Sequence, residues 1–251
     1  MKAPLLEVKN LSATYVDQRG SLHVLDRLSF NIKSGEFVCV LGPSGSGKST
    51  LLRILAGLLP IRAGAVTLNG KTVRGPQPGV SLVFQDPTLM PWRTVEENVG
   101  LPLKLGNPSN GAAQAQIQAM ITLVGLNGFE TALPRDLSGG MAQRAALGRA
   151  LVQDPEMMLM DEPFGSLDAI TRERMGEELL HIWEGDHKTV LLVTHNINEA
   201  VYLADRVLVL SARPAQIRLD LQIRLPRPRP SAVRYTPEFG KLAARLRAAI
   251  E

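Results

Sequence analysis

The sequence predicts an α/β fold built on a parallel sheet, and three observations favour it. The apolar run Phe37–Leu41 is followed by a glycine-rich loop and then by the helical stretch Ser49–Ala56. This order is the first half of a βαβ unit. Two further apolar runs, Met157–Met160 and Thr189–Val193, are typical of buried parallel strands. Both runs lead into polar residues, at the sheet edge where open α/β folds bind their ligands.

The length and composition are those of a globular protein with one large domain, or with one α/β core that carries a smaller insertion. The 251 residues are 45% hydrophobic and 21% charged, with a formal net charge of +4. This mild positive charge suits a nucleotide or an acidic membrane face but does not choose between them. Aromatic residues make up only 4%, which argues against single-stranded nucleic-acid binding through stacked rings.

The chain is expected to work in a reducing compartment and not to cross a membrane by itself. Its one cysteine, Cys39, lies in an apolar run and is expected to be a core residue, so a disulfide framework is excluded. Glu7 and Lys9 interrupt the N-terminal apolar stretch, which excludes a secretory signal. No apolar segment approaches the roughly 18 residues that a membrane span needs.

Two regions depart from the strand–helix alternation. Residues 85–154 are predicted to be a helical insertion, with one apolar helix face in 112–124 and a second helix from about Gly140 to Val152. The apolar face of the first helix consists of Ile117, Met120, Ile121 and Val124. Strict alternation over 217–225 predicts a half-buried strand. The prolines and arginines of 226–230 predict a stiff linker, and a final helix carries Phe239, Leu242, Leu246 and Ile250 on one face.

The loop after the first buried strand matches a phosphate-binding pattern, G-x-x-x-x-G-K-[ST]. Its glycines allow backbone N–H groups to surround phosphates, and the dipole of the following helix adds positive potential. Lys48 is placed to contact the β- and γ-phosphates, and the Ser49 hydroxyl to bind Mg²⁺. The predicted nucleotide-binding residues here are Gly42, Pro43, Ser44, Gly45, Ser46, Gly47, Lys48, Ser49 and Thr50.

Two adjacent carboxylates end the strand that begins at Met157. Since successive side chains on a strand point to opposite faces, Asp161 and Glu162 are predicted to have different tasks. Asp161 is the candidate Mg²⁺ ligand, through water, and Glu162 the candidate general base that polarises the attacking water.

A second glycine-bearing element opens the helix that begins near Gly140. Ser138, Gly139 and Gly140 precede free helix N–H groups and form a second candidate anion site. Because one nucleotide already has its phosphate loop, this element is predicted to face the nucleotide of a neighbouring copy. Two copies arranged head to tail would bury two nucleotides between them.

Together these motifs resemble the ATP-binding subunits of the ABC transporter family, in that family's order and over nearly the whole chain. The set is Gly42–Ser49, Gln85, Leu137–Arg144, Asp161–Glu162, Ser166–Asp168 and His195. The resemblance implies a P-loop ATPase fold with a mixed, largely parallel sheet core, an N-terminal antiparallel β subdomain and an inserted α-helical subdomain. It divides the chain into an α/β core (1–84 and 155–215), a helical signature subdomain (85–154) and a C-terminal strand and helix (216–251).

The resemblance also assigns roles, ligands and partners. Gln85 would link Mg²⁺ and the attacking water to the membrane partner, His195 would contact the γ-phosphate, and Asp168 would lie at the dimer seam. Tyr15 looks like the aromatic residue that stacks on adenine.

The implied ligands are ATP and Mg²⁺. The implied partners are a second copy or close paralogue, transmembrane permease subunits and, indirectly, an external substrate-binding protein. The implied location is the cytoplasmic face of the inner membrane, and no nucleic-acid partner is expected.

The stretch from Phe84 to Val99 looks like the importer type that serves nitrate, sulfonate, taurine and related small anions. Met90–Trp92, Asp161–Asp168 and the tail Leu225–Arg229 fit that branch, and Trp92 is expected to line a groove for a permease helix. One departure is Met141, which stands where the family signature usually has glutamine. No segment is expected to touch the transported cargo.

Three alternatives remain at this point. A soluble ABC ATPase acting on DNA or ribosomes would usually carry long coiled-coil insertions or two ATPase units. A P-loop kinase of small molecules has no need of Leu137–Gly140. A regulatory nucleotide-binding module without turnover is disfavoured because Glu162 and His195 are both present.

Overall fold

The computed structural model describes residues 3–17, 20–106 and 112–251. The strands are β1 (Leu6–Asp17), β2 (Gly20–Ile32), β3 (Phe37–Leu41), β4 (Ala63–Leu68), β5 (Lys71–Thr72), β6 (Val80–Val83), β7 (Met157–Asp161), β8 (Thr189–Thr194), β9 (Arg206–Leu210) and β10 (Ile217–Gln222). The helices are α1 (Lys48–Leu55), α2 (Val95–Val99), α3 (Leu101–Gly106), α4 (Ala112–Leu123), α5 (Gly139–Leu151), α6 (Ala169–Asp186), α7 (Ile197–Leu203) and α8 (Pro237–Ile250). Short 3₁₀ turns span Pro134–Asp136 and Ser231–Tyr235.

The core of the molecule is a six-stranded sheet in the order β10-β9-β3-β8-β7-β6. Its neighbouring strands pair in parallel, except for the antiparallel edge pair β10 and β9. Alternate residues of β3 belong to two different clusters: Phe37, Cys39 and Leu41 pack on one face, and Val38 and Val40 on the other. Both faces are therefore buried, which explains the continuous apolar run in the sequence.

This topology brings the predicted site together at one edge. Strands β3, β8 and β7 are adjacent and parallel, so their carboxyl ends meet at the same edge of the sheet. The glycine-rich loop follows β3, Glu162 follows β7, and His195 follows β8. Residues far apart in the chain thus share one cleft at the position that open α/β sheets use for ligands.

A four-stranded antiparallel sheet, in the order β2-β1-β4-β5, covers one face together with α1. The sequence predicts short strands with turns over residues 5–40, whereas β1 and β2 have 12 and 13 residues. Their pairing contains bulges, and Asn10 and Arg27 adopt left-handed backbone conformations with φ of 48° each. Each bulge shifts the inside–outside alternation, so two long strands look like several short ones in the sequence.

Helices α2 to α5 lie within the segment predicted to be a helical insertion. They share an apolar cluster of their own, which includes Val95, Val99, Ile117, Ile121 and Val124. Helix α5 also reaches the main core, since Leu147 and Leu151 belong to the large cluster that covers the opposite face of the six-stranded sheet. The insertion is therefore packed as a unit and attached to the core through α5.

Segment 226–230, which is predicted to be a stiff linker, is also held against the core by its arginines. Arg229 is buried and donates hydrogen bonds to the carbonyl oxygens of Val201, Tyr202 and Ala204, at the end of α7. Arg227 pairs with Asp205 at 2.8 Å. Burial lowers the pKa of Arg229 to about 10. Segment 226–230 thus anchors the tail to the core, because orphan carbonyls at the helix end accept these arginine donors.

Among the described residues, no helix is both long enough and apolar enough to cross a membrane. Cys39 is fully buried, as expected, and this burial raises the pKa of its thiol well above the ordinary value.

Candidate active site

The loop between β3 and α1 presents free backbone donors. Gly45 and Gly47 have φ of +73° and +104°, a region that L side chains rarely adopt. A Cβ on Gly47 would also lie 2.6 Å from Val24 Cγ1, so a side chain does not fit there. Gly47 is the N-cap of α1 and offers no side chain to the first helix N–H groups. These groups and the helix dipole form an anion-binding cradle.

Lys48 is the charged residue of this cradle. Its Nζ donates to the carbonyl oxygens of Gly42 and Pro43, at 2.9 Å each, and the side chain is 5% exposed. Burial lowers the pKa of Lys48, while Glu162, whose Oε1 lies 4.0 Å away, and Asp161 act in the opposite direction. The ammonium group is therefore held in a fixed position beside the loop, where a phosphate would find it already oriented.

Ser49 and Asp161 form a pair of hard oxygen ligands. The Ser49 hydroxyl donates to Asp161 Oδ1 at 3.0 Å, across the gap between α1 and β7. Burial raises the pKa of Asp161, and the hydrogen bond from Ser49 partly offsets that rise. A hydroxyl and a carboxylate beside a phosphate cradle fit the ligand preference of Mg²⁺.

Glu162 and His195 form the second polar pair. Glu162 Oε2 lies 2.8 Å from His195 Nδ1. Glu162 has φ of +47°, and its N–H donates to the carbonyl oxygen of Val193 at 2.9 Å. The left-handed backbone turns the carboxylate away from the strand direction and toward the cradle. His195 is 57% exposed at its side chain, so the pair opens to solvent.

Gln85 and Tyr15 lie at the rim of the site. A Cβ built on Gly165 would lie 3.1 Å from Gln85 Nε2, which places this exposed amide against the loop after Glu162. The Tyr15 hydroxyl lies 3.2 Å from Thr50 Oγ1. Tyr15, Lys48 and Glu162 line one cleft of about 290 Å³, together with Ser44, Gly45, Gly47, Ser49 and Thr50. Ser46 is buried within the loop, where its N–H donates to the carbonyl oxygen of Pro43.

The signature element lies on a different surface. Ser138 is the N-cap of α5, and its hydroxyl accepts a hydrogen bond from the Met141 N–H at 3.3 Å. Ser138 and Gly139 are exposed, and Gly140 is buried with its Cα facing Thr171. Among the described residues that line the phosphate cleft, none comes from 138–141. The structure therefore does not bring the signature into the chain's own cleft.

Asp168 lies beside the signature. The buried Leu167 has its Cδ2 3.6 Å from a Cβ built on Gly139, so the loop that carries the exposed Ser166 and Asp168 packs against the signature. The Asp168 carboxylate caps α6 by accepting from the N–H groups of Ile170 and Thr171. Hydrogen bonds, chiefly from Thr171, lower the pKa of Asp168. In the single chain this side chain therefore has a structural partner already.

Two arginines for which the sequence predicts no role are connected to the site by contacts across the fold. Arg213 lines the phosphate cleft from the turn between β9 and β10. Arg149 of α5 donates to the carbonyl oxygens of Pro87 and Thr88, two and three residues after Gln85. Both residues lie outside the recognisable motifs, so only the tertiary structure relates them to the site.

An apolar cavity of about 410 Å³ lies between the helical insertion and the core, lined among others by Leu123, Leu151, Leu179 and Trp183. Its lining is mostly apolar, and its lysine, Lys188, is already paired with Asp154, so the cavity does not suit a polyphosphate. The smaller, polar cleft at the glycine-rich loop is therefore the candidate active site.

Comparisons with known proteins agree with this geometry. The ABC transporter family matches residues 25–165. An ABC transporter ATP-binding protein of Methanocaldococcus jannaschii is 50% identical, covering 89% of this chain and 84% of that protein. The nitrate import ATP-binding protein of Synechocystis is 44% identical, covering 94% and 91%. An aliphatic sulfonates import ATP-binding protein of Bacillus cereus is 41% identical, covering 89% and 88%.

Solved structures show the same fold. A dimeric ATP-binding cassette in a post-hydrolysis state, bound to ADP and Pi, has a TM-score of 0.77 and 32% identity, with 88% of this chain and 99% of that chain covered. A protein of Clostridium perfringens that is part of an ABC transporter complex has a TM-score of 0.81 at 24% identity, covering 99% and 98%. The predicted α/β fold class is thereby confirmed. The chain belongs to the ABC transporter family, as one of its ATP-binding and ATP-hydrolysing subunits.

Proposed function

We propose that the chain is the energy-coupling subunit of an importer for a small anion such as nitrate or a sulfonate, and that the cleft above β3 hydrolyses its ATP. The observation that carries the catalytic part is the meeting of Lys48, Glu162 and His195 at the phosphate cradle. Mg²⁺, when bound, would neutralise developing charge on the phosphates. Ser49 and Asp161, which are hydrogen-bonded to each other, are the residues that would hold it, and the resemblance to the family adds Gln85.

Glu162 acts as general base in this proposal. Its carboxylate lies at the rim of the cradle, so it is positioned to accept a proton from water that approaches the terminal phosphate. His195, at 2.8 Å, orients this carboxylate and offers its other ring nitrogen to the γ-phosphate. Lys48 and the free N–H groups of the loop stabilise charge on the phosphate oxygens.

The signature supports a composite site formed by two copies. Ser138 and Gly139 are exposed, next to Asp168, on an edge that does not line the chain's own cleft. A helix N-terminus in this position suits the phosphate of a nucleotide held by a second chain. Two identical copies, or this chain and a close relative, would then enclose two ATP molecules. The related cassette bound to ADP and Pi is itself dimeric.

The permease would dock at the loop around Trp92. This indole is 72% exposed, although its loop is held firmly: Asn98 is buried, accepts from the Met90 N–H and donates to the carbonyl oxygens of Met90, Arg93 and Thr94. A fixed loop that presents a large aromatic residue is typical of a protein-binding site. Arg149 connects the same region to the signature helix, so ATP-driven movement of α5 would reach the docked partner.

The cargo class rests on relatives that are named for nitrate import and for aliphatic sulfonates import. In this proposal the permease and an external binding protein select the cargo, and this chain lies against the cytoplasmic face of the membrane. It would stay there through its partner, since no described helix suits a membrane span.

Affinity isolation of the tagged chain from detergent-solubilised native membranes tests the proposal. We expect a multi-span membrane protein at near-equal amounts, and a marked loss of it with Trp92→Glu. Tyr235→Glu, which alters another exposed aromatic residue, is the matched control. Recovery with nucleic acid or ribosomes in the soluble fraction would instead favour an ABC-type ATPase that acts on those partners.

A further inference from the structure

The turn between β9 and β10 holds an arginine above the phosphate loop. Its ends are tied together, because Ser211 N–H donates to the Gln216 carbonyl oxygen at 2.9 Å and Gln216 N–H donates to Ser211 Oγ at 3.0 Å. Ala215 then pairs with β2 by exchanging hydrogen bonds with Val24 and Asp26. Val24 is the residue that also packs against Gly47. The turn and the phosphate loop therefore share one support, and their relative position is fixed.

Arg213 reaches from this turn over Gly45. A Cβ built on Gly45 would lie 3.4 Å from Arg213 Nη2 and 3.8 Å from its Cζ. The guanidinium group lines the same cleft as Lys48 and Tyr15. Within the part of the chain that the structure describes, its side chain makes no hydrogen bond or ion pair with another residue. Its donors are thus available to a ligand in the cleft.

We propose that Arg213 is an additional phosphate-binding residue, which contacts the polyphosphate of the bound nucleotide from the Gly45 side; this inference rests on the proposed role of the cleft. Lys48 approaches from the α1 side, is buried, and already lies near two carboxylates. A polyphosphate carries several negative charges, so a second cation on the open side adds neutralisation that Lys48 alone does not supply. The planar guanidinium suits two phosphate oxygens at once.

The test compares nucleotide affinity of the full chain and three variants, at protein concentrations where it is monomeric. Arg213→Ala is expected to weaken MgATP and MgADP binding about fivefold, because the site is partly exposed to solvent. Arg213→Lys should recover part of the loss. Arg218→Ala, which removes the same charge from an exposed position on β10, is the matched control and should bind like the parent. The salt dependence of binding should also become weaker in Arg213→Ala, since one phosphate contact is lost.

The outcomes separate this inference from the function on which it rests. If Arg213→Ala binds nucleotide like Arg218→Ala, the inference is wrong while the cleft keeps its role. Unchanged affinity combined with weaker ATP-dependent dimerisation would place Arg213 at the subunit interface, which also overturns the inference. If the parent chain binds no nucleotide, or Lys48→Ala binds it equally well, the cleft itself has been misassigned.

Discussion

The two helix N-termini that carry the family's glycine motifs differ in how complete they are. At α1 the N-cap is Gly47 with no side chain, Lys48 is buried beside the loop, and side chains from β7 and β8 converge on it. At α5 the N-cap is Ser138, which accepts from its own helix and lies exposed. The first is a ready-made polyphosphate site, and the second has an uncovered N-terminus without such convergence.

This difference explains how one chain would contribute one half to each of two composite sites. We call these halves the α1 half-site, which is the cradle at Gly42–Thr50 with the side chains that converge on it, and the α5 half-site, which is the exposed helix start at Ser138. The free N–H groups of the α1 cradle need an anion, and Lys48 adds the charge that makes the site specific for phosphate. The α5 end offers a weaker dipole-based attraction and a hydroxyl, which is enough only if the nucleotide is already held elsewhere. Substitutions at each helix N-terminus test whether the two ends have these different tasks.

The largest effect is expected from Glu162→Gln. Loss of the general base should lower turnover by about a thousandfold, while the glutamine keeps the shape of the site and hence nucleotide affinity. ATP that binds without being hydrolysed should trap a dimer in the presence of Mg²⁺. Steady-state ATPase assays and sedimentation with MgATP measure the two effects. Glu238→Gln, an exposed substitution on α8, is the control, and an undiminished turnover of Glu162→Gln would remove Glu162 from the role of base.

The next effect tests the α5 half-site. Ser138→Arg should reduce hydrolysis about a hundredfold, because a bulky side chain there would keep a second chain from closing over the nucleotide. Binding of ATP to the monomer should be unchanged. Thr236→Arg removes the corresponding cap from α8, where Thr236 accepts from Phe239 N–H at 3.3 Å, and so controls for the loss of a helix cap. Activity that survives in Ser138→Arg would mean that each chain works alone.

The sequence predicted the α1 half-site in detail because its residues are local. Gly42–Thr50 is one contiguous segment made of the loop and the first residues of α1. The two carboxylates directly follow an apolar run, so the order strand, loop, helix is sufficient to predict these positions. The sequence also predicts that the signature at α5 faces a neighbouring copy, and in the structure it lies outside the chain's own cleft. Arg213 and Arg149 are not predicted, since neither stands at a motif position and both act through contacts across the fold.

Segment 226–230 is the part of the C-terminal tail whose packing the sequence does not predict. Alternating prolines and arginines at 226–230 are typical of an exposed, stiff linker. In the structure Arg229 is buried because the open carbonyl oxygens at the end of α7 accept its donors. Sequence patterns assign charged residues to the surface by default, and a buried arginine with several carbonyl partners is an exception that only packing reveals.

A smaller effect is expected at the link between the two half-sites. Arg149→Ala removes the donors that tie α5 to Pro87 and Thr88, so it should lower the free energy of unfolding by about 2 kcal/mol. For a chain of this length that corresponds to a fall of about 4–8 °C in Tm. Arg135→Ala, at an exposed arginine, should change Tm by less than about 1–2 °C. Equal Tm values for the two variants would show that the α5 link contributes nothing to stability.

The smallest effect is expected at Asp161, the proposed metal ligand. Its replacement should change Tm in opposite directions in the protein without nucleotide and in the protein with bound MgATP. Burial raises the pKa of Asp161, so its charged form lowers the stability of the nucleotide-free protein at pH values above the unfolded pKa of about 3.9. Asp161→Asn should therefore raise Tm at pH 7, by less than the change expected for Arg149→Ala. The gain should shrink as the pH falls toward 4, where the parent carboxyl becomes protonated.

With MgATP bound, the parent protein should have a higher Tm than Asp161→Asn. The parent gains stability from ligand binding, whereas Asp161→Asn should lose most of that gain because its amide is a poorer Mg²⁺ ligand. Thermal unfolding with and without MgATP measures both the Tm of the nucleotide-free protein and the rise in Tm on binding. These measurements use the Glu162→Gln background, which prevents turnover. A variant that is destabilised without nucleotide would contradict the assigned cost of burying Asp161. If Asp161→Asn keeps the full rise in Tm with MgATP, Mg²⁺ is held without Asp161. The α1 half-site of a single chain would then be less complete than its geometry indicates.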